Sequence, residues 1–550
     1  VHRRFHIPCL TEFFISEADV TGEITNINRR QWLQLIGAAA LPTAAQAQTR
    51  RDVLVIGIDI SDIITLDPAR AGQYTSPIPI VGAYDTLVTN TPGDYINLKP
   101  ALATEWARTP DNTGWRVKLR TDVVFASGNK LTADDVKFSI DRVIRVKDQP
   151  SQYVSNIDQV NVIAPDTVDI LLKQPAEPIM TILAAPSFGI YDSKLLIEHG
   201  GDASPEAQTK DSATTWLNQH SAGSGAYVIA AWQRNAQIQL TRNPHYWRAN
   251  PAFERIVIRH IPDSAAQMLA LQRGDIDAAF NLIPEQIAPL ASDKSIRVEK
   301  LTSLDFIYMA VTQDAGINKA LADKRARQAI AWSIDYDGIR NNLLGGAALR
   351  AANFLPIGVR GSTEAIARQV GYHEDLDRAR SLLKGAGLAD GFEFQISYGN
   401  AAIAGVSYGL LAQKIQSDLA RVGIRATLAP LDQVTMRTQY TTGKTAAALT
   451  FWNPPGVENE LWAAASVERV AKRVHWIPPE TLVKLVHAAA GEADPQKQSD
   501  MWVEYQKAIA DEASLITLFQ PIYQIAVRET VKTFPLTAAG WQVELWAVKP

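Results

Sequence analysis

Apolar positions recur along this chain with two periods, and the two alternate from one end to the other. Short β-branched runs predict strands at 52–58, 115–119, 167–172, 238–242, 255–260 and 392–398. Stretches with helical spacing lie between them. Thr132, followed by Asp134 and Asp135, supplies an N-cap with acidic residues in the first turn, ahead of the apolar positions Val136 and Ile140. Longer helices are predicted over 324–339 and 408–422. Leu411, Ile415, Leu419 and Val422 share one face of the second, and Gly423 follows as its stop. Such alternation predicts an α/β fold. No repeat, low-complexity tract or long linker interrupts it, so domain boundaries are expected inside strands that cross between domains.

A chain of 550 residues is too long for one hydrophobic core, and two or three domains are expected. The 54 basic and 58 acidic residues leave a net charge of −4, which gives no reason to expect a nucleic acid or an anionic membrane as partner. The mean hydropathy of −0.09 is that of a globular protein in water.

The N-terminal region reads differently. Asn28-Arg29-Arg30-Gln31-Trp32-Leu33-Gln34 resembles the twin-arginine export consensus. A modest apolar run over 33–41 and then Ala45-Gln46-Ala47 complete the order of a secretory signal, with cleavage expected after Ala47. The run is well short of the roughly 20 residues a spanning helix needs. Residues 1–27 are expected to be an upstream extension, and His6-Ile7-Pro8-Cys9 lacks the character of a lipid-anchor site. Loss of 1–47 would remove the single cysteine, Cys9, and leave a thiol-free product suited to an oxidising compartment. A soluble periplasmic protein is the expectation.

Several blocks identify the mature chain more closely. Leu66-Asp67-Pro68-Ala69 is followed by Tyr84-Asp85-Thr86-Leu87-Val88, by the 100–106 block ending in Glu105-Trp106, and by the strand from Trp115 to Arg120. Residues 124–139 carry a glycine turn and then Thr132-Ala133-Asp134-Asp135-Val136. Gly225-Ala226-Tyr227, Arg242-Asn243-Pro244-His245-Tyr246-Trp247, Gly274-Asp275-Ile276-Asp277 and the helix from Arg325 to Asp335 follow. The 379–387 and 419–424 segments continue the series. In this order the blocks resemble the family-five extracellular solute-binding proteins of ABC importers, a group that includes dipeptide, oligopeptide and nickel binders.

That resemblance implies a periplasmic-binding-protein-like clamshell of two lobes, one of them carrying an inserted domain. Lobe I would span 48–90, 220–300 and 520–550, the insertion 91–219, and lobe II 301–519. Trp106, Trp115, Tyr246 and Trp247 are expected to pack the scaffold, and the aspartates of the 274–277 block to serve a turn or cap. The hinge would lie near 301–311 and 517–524. Closure would enclose a peptide or other small solute and present the closed form, as a monomer, to permease subunits in the membrane.

In peptide-binding members, a tryptophan followed by an aspartate holds the ligand's α-ammonium, because an unpaired buried ammonium is very costly. Trp452 stands in that place here, but Asn453-Pro454-Pro455 follows it. An amide brings no neutralising charge. Glu458 and Glu460 could substitute, and so the ligand classes stay open: free or blocked peptides, metal chelates, opine-like compounds and oligosaccharides. The expected contacts are Phe451, Trp452 and Asn453, with Tyr398 and Asn400 after a lobe II strand, and Asp62 and Tyr74 from lobe I.

Two other classes compete. Gly405-Val406-Ser407-Tyr408-Gly409 fits a nucleophile elbow, with Asp432 and then His475 or His487 in hydrolase order. The preceding strand ends near Tyr398, too far upstream for the sharp turn such a serine needs. A chaperone or signalling receptor on the same clamshell would reveal itself by a protein partner. Gly443-Lys444-Thr445 lacks the upstream glycine of a phosphate loop, and the nine histidines form no zinc motif. No cofactor or metal is expected.

Overall fold

The computed structural model describes residues 52–91, 94–174, 179–350, 353–400, 402–403, 406–452, 458–492, 494–537 and 542–550. The expected export signal, Cys9 and the candidate contact Asn453 lie outside the described residues.

One long mixed sheet runs through the molecule. From one edge its order is Arg425–Leu431, Glu393–Gly399, Ala447–Trp452, Phe306–Val311, Leu515–Arg528, Ala278–Ala279, Val53–Ile58, Arg255–His260, Gln237–Arg242 and Tyr227–Gln233. The first three strands are mutually parallel, and so are Val53–Ile58 and Arg255–His260. Glu393–Gly399 and Val53–Ile58 are mostly buried, and helix Tyr408–Ala420 packs on the first set.

The two lobes meet at the strand Leu515–Arg528. Its first part pairs with Phe306–Val311 and its second with Ile296–Thr302. Both crossings therefore lie side by side, at 303–305 on one strand and at 520–521 on the other. Gln520 pins them together. Its Nε2 donates to the carbonyls of Ser303 at 2.6 Å and Ile357 at 3.0 Å, and its Oε1 accepts from Ile357 N at 2.6 Å. A fully buried amide satisfied on both sides makes this junction specific.

A separate antiparallel sheet, ordered Ala103–Arg108, Gly114–Leu119, Thr167–Leu172 and Ile157–Ala164, packs against the helix Ala133–Val146. That helix begins with a capping box between Thr132 and Asp135. Its Arg142 is wholly buried and grips two carboxylates, Asp67 at 2.7 Å and Asp211 at 2.8 Å. Tyr191 and Thr214 donate to Asp67 as well, each at 2.8 Å. The Leu66-Asp67-Pro68 block is thus a scaffold knot. Trp247 is scaffold too, donating from Nε1 to Asp85 at 2.9 Å, and Asp277 accepts from Val55 N at 2.8 Å.

The helix expected over 324–339 is shorter than its spacing predicts. Lys324–Ser333 is helical, Ile334 is extended, and a new turn starts at Tyr336. Asp335 causes the break. Its Oδ1 accepts from Gly338 N at 2.7 Å and caps the second turn, while its own N donates to Asp418 Oδ2 at 3.1 Å. The helix Tyr408–Ala420 stops where expected, with Gly423 at φ +85°.

Candidate functional site

A cavity of about 470 Å³ lies between the lobes. Its position follows from the sheet. The parallel strands of both lobes run their C-terminal ends toward it, the place where open α/β sheets leave a crevice for ligands. On the lobe I side, the chain leaving Val53–Ile58 brings Asp62 to the wall, and residues 71–74 follow with Tyr74. The turn Gln149–Val154 adds Gln149 and Tyr153. On the lobe II side, Phe451 and Trp452 close the strand Ala447–Trp452, and Gly399 ends Glu393–Gly399.

Helix Gln433–Thr441 presents Gln433, Met436, Arg437 and Tyr440 to the cavity, a stripe at helical spacing. Asp432 caps it by accepting from Thr435 N at 3.0 Å. Tyr440 is held by a 2.6 Å hydrogen bond between its hydroxyl and that of buried Tyr308. Arg473 completes this side, its guanidinium 5.1 Å from the Tyr440 ring centre. A Cβ at Gly399 would lie 2.6 Å from the terminal amide of the Gln433 side chain, which packs over it.

Side chains of the two walls meet across the cleft. The rings of Tyr74 and Phe451 meet edge to face at 5.2 Å. Arg437 faces Asp148 at 4.0 Å, and Arg469 sits 4.9 Å from the Tyr153 ring centre.

The polar chemistry of the wall is incomplete. Asp62 Oδ1, Gln149 Oε1, Tyr408 OH, Gln433 Nε2 and Trp452 Nε1 are buried with no hydrogen-bond partner among the described residues. Buried polar groups are nearly always paired, so each of these five is an exception, as are twelve further atoms elsewhere among the described residues. Asp62 is the sharpest case. Burial pushes its carboxyl up from 3.8 to about 6, against the hydrogen bond its Oδ2 accepts from Thr75 N at 2.9 Å. Arg437 is pushed below its usual value by burial, partly offset by Asp148.

Of the contacts expected from sequence, Asp62, Tyr74, Phe451 and Trp452 line the cavity. Tyr398 and Asn400 flank the lining residue Gly399 without lining the cavity themselves. Successive residues of a strand face opposite sides, and Tyr398 is turned into the core while Asn400 is exposed. Sequence reasoning missed Gln149, Tyr153, Gln433, Arg437, Tyr440 and Arg473. The stripe of Gln, Met, Arg and Tyr after the capping Asp432 was the one available signal, being too polar for a core face.

Ser407 Oγ accepts from Leu410 N at 3.2 Å, capping its helix, and His475 Nε2 bonds the Gly443 carbonyl at 2.8 Å. Away from the cavity, Asp335, Glu374 and Asp418 gather at metal-ligand spacing. Lys414 already supplies a cation there, 3.1 Å from Asp335 and 2.6 Å from Asp418. Among the described residues no helix is long and apolar enough to cross a membrane.

Known proteins share this arrangement. The probable D,D-dipeptide-binding periplasmic protein DdpA of Escherichia coli (strain K12) is 29% identical over 513 residues, covering 91% of this chain and 95% of its own length. A dipeptide binding protein from Pseudoalteromonas sp. SM9913, solved in complex with Met-Leu, shares the fold with TM-score 0.80 at 19% identity, over 90% of this chain and 99% of that one. MoaA from A. tumefaciens R10, solved with mannopinic acid, does so with TM-score 0.77 at 22% identity, over 91% and 100%. Residues 97–462 match the family described as bacterial extracellular solute-binding proteins, family 5 Middle. Family match, two-lobed α/β fold and interlobe cavity agree, and the chain belongs to the family 5 bacterial extracellular solute-binding proteins.

Proposed function

We propose that this protein captures a short peptide or peptide-like solute in the periplasm and hands it to the membrane permease of an ABC importer. The observation that carries this reading is the interlobe cavity, lined from both sides by polar side chains such as Asp62, Gln149, Gln433, Arg437 and Arg473. Such a wall has use for a ligand rich in hydrogen-bonding groups, which a peptide backbone is. A volume of about 470 Å³ suits a small solute. The relative at 29% identity is named for D,D-dipeptides, which points the same way.

On this reading Asp62, Tyr74, Phe451 and Trp452 contact the solute, joined by Arg437, Tyr440 and Arg473. Tyr398 acts behind them by setting the strand end at Gly399. Because the solute touches both lobes, it binds the closed form better than the open one, and that difference drives closure. The solute leaves chemically unchanged.

Thermal melts of the purified protein with dipeptides, N-blocked dipeptides, opines, nickel–histidine chelates and oligosaccharides test the reading. Stabilisation by dipeptides or their blocked forms is expected. A shift confined to opines, chelates or sugars, or no shift at all, would overturn it.

A further inference from the structure

The lobe I wall hangs on a hydrogen bond whose acceptor can gain a proton. His260 ends the strand Arg255–His260 and lies beside Ile58, the last residue of Val53–Ile58. Its side chain is mostly buried, at 13% exposure. Ile60 N donates to His260 Nδ1 at 3.3 Å. That nitrogen must therefore offer a lone pair, with the ring neutral and its proton on Nε2. Asp59 Oδ1 lies 3.6 Å from the same nitrogen and would pair with a proton placed there. Nδ1 cannot serve both neighbours at once.

The loop held in this way shapes the cavity. Asp59 N donates to Asn281 Oδ1 at 2.8 Å, Ser61 N to Asp59 Oδ1 at 2.9 Å, and Ile63 N to Ile60 O at 3.2 Å. Asp62 Oδ2 then accepts from Thr75 N at 2.9 Å, anchoring the segment that brings Tyr74 to the cleft. Asp62 and Ile64 stand in the wall, and His260 lies behind it. We infer that His260 is a positioning residue: its neutral ring holds the lobe I wall in the solute-binding form, and protonation of the ring releases that wall. The effect on affinity rests on the function proposed above, whereas the hydrogen bond can be followed without solute.

Protonation turns Nδ1 from acceptor into donor, so that it meets the Ile60 N–H donor to donor. The ring then turns to Asp59 Oδ1, the oxygen that holds Ser61 N. Ile60 is buried, and a buried N–H without an acceptor is costly. An imidazole changes charge between pH 5 and 8. Asp59 is the one carboxylate within ion-pair distance of the ring among the described residues, and Asp62 lies beyond it, close enough to feel its charge. Arg234, near Ala236 on the neighbouring turn, is engaged with the Ile64 carbonyl and the Trp232 ring. Asp263 caps its own helix, and Arg259 faces the other side of the strand.

Amide hydrogen exchange followed by NMR on the solute-free protein tests the switch, at about pH 7.5 and about pH 5.5 with rates corrected for intrinsic pH dependence. Ile60 N–H should lose at least about tenfold in protection at the lower pH. His260→Asn places an amide oxygen near the Nδ1 position, accepts without titrating, and should keep Ile60 protected at both values. His260→Ala should leave it poorly protected at both. Calorimetric titration with methionyl-leucine and D-alanyl-D-alanine reads the consequence. Relative to His260→Asn, wild type should lose an extra three- to tenfold in affinity on acidification, roughly the scale of one hydrogen bond. Titration of Asp62 is common to both proteins and drops out of that comparison. Ile60 protection that is constant with pH in wild type, or that falls equally in His260→Asn, would overturn the inference. Equal pH dependence of affinity in the two proteins would overturn it as well. Binding of neither dipeptide would overturn the proposed function and leave amide exchange to decide the switch.

Discussion

Tyr74 and Phe451 meet edge to face across the cleft, 84° between ring planes and 5.2 Å between centres. Tyr74 belongs to the lobe I wall and Phe451 to a lobe II strand end, so the pair exists only when the lobes are together. On its inner side, Tyr74 OH bonds Tyr523 OH, which in turn donates to Asp305. Tyr523 sits on the strand Leu515–Arg528, and Asp305 in the 303–305 segment that joins Ile296–Thr302 to Phe306–Val311. The aromatic contact is thereby linked to the crossing segment at 303–305.

Phe451→Ala is expected to weaken solute affinity about tenfold, from loss of an aromatic pair worth about 1 kcal/mol and of some apolar contact. Phe451 is half-buried, so the melting temperature without solute should move little. Titration of the variant beside its melt checks both halves.

Asp62→Asn should stabilise the empty protein. A carboxyl whose folded value is raised from 3.8 to about 6 holds its proton more tightly when folded, so its ionisation costs stability as pH rises through that interval. The cost is full above about pH 6 and amounts to at most about 3 kcal/mol. Melts from pH 4 to 8 should show the variant gaining on wild type with rising pH, and no gain at pH 8 would refute the assignment.

The knot of Asp67 and Arg142 carries the opposite sign. Burial works against ionised Asp67, yet the Arg142 guanidinium outweighs it and holds the carboxyl at about 2. A folded value below the usual 3.8 contributes stability that is present above about pH 4 and fades as pH falls toward 2. Asp67→Asn should cost about 3–5 kcal/mol at neutral pH by leaving Arg142 poorly compensated. Urea unfolding at pH 7 and near pH 2.5 checks it, with the gap between variant and wild type shrinking in acid.

Arg437 and Asp148 face each other at 4.0 Å over the cleft, both partly exposed. A pair of this kind is worth about 0–1 kcal/mol and is screened by salt. Asp148→Asn should therefore lower solute affinity by no more than about fivefold, and the difference should vanish in high salt. A larger, salt-independent loss in titrations would mean that Asp148 does more than latch the lobes.

Much of this was legible in the sequence. The β-branched runs fell on real strands because their faces are buried whatever surrounds them, and Asp62 and the Phe451–Trp452 pair could be placed because strand ends line the crevice. Tyr398 shows the limit: the strand was right, but which of Tyr398 and Gly399 turns to the cavity depends on a one-residue register. Arg473 and Tyr153 were out of reach because their elements come to the cavity through tertiary packing, with no local pattern to announce it. The early stop at Ser333 likewise depended on Asp418, 83 residues beyond the breaking residue Asp335.

A crystal structure with a saturating dipeptide tests the central claim most directly. Solute density is predicted inside the interlobe cavity, bounded by Asp62 and Tyr74 on one wall and by Phe451, Trp452 and Arg473 on the other, with the Tyr74–Phe451 contact closed. Solute bound elsewhere, or a cavity left empty at saturation, would contradict the account.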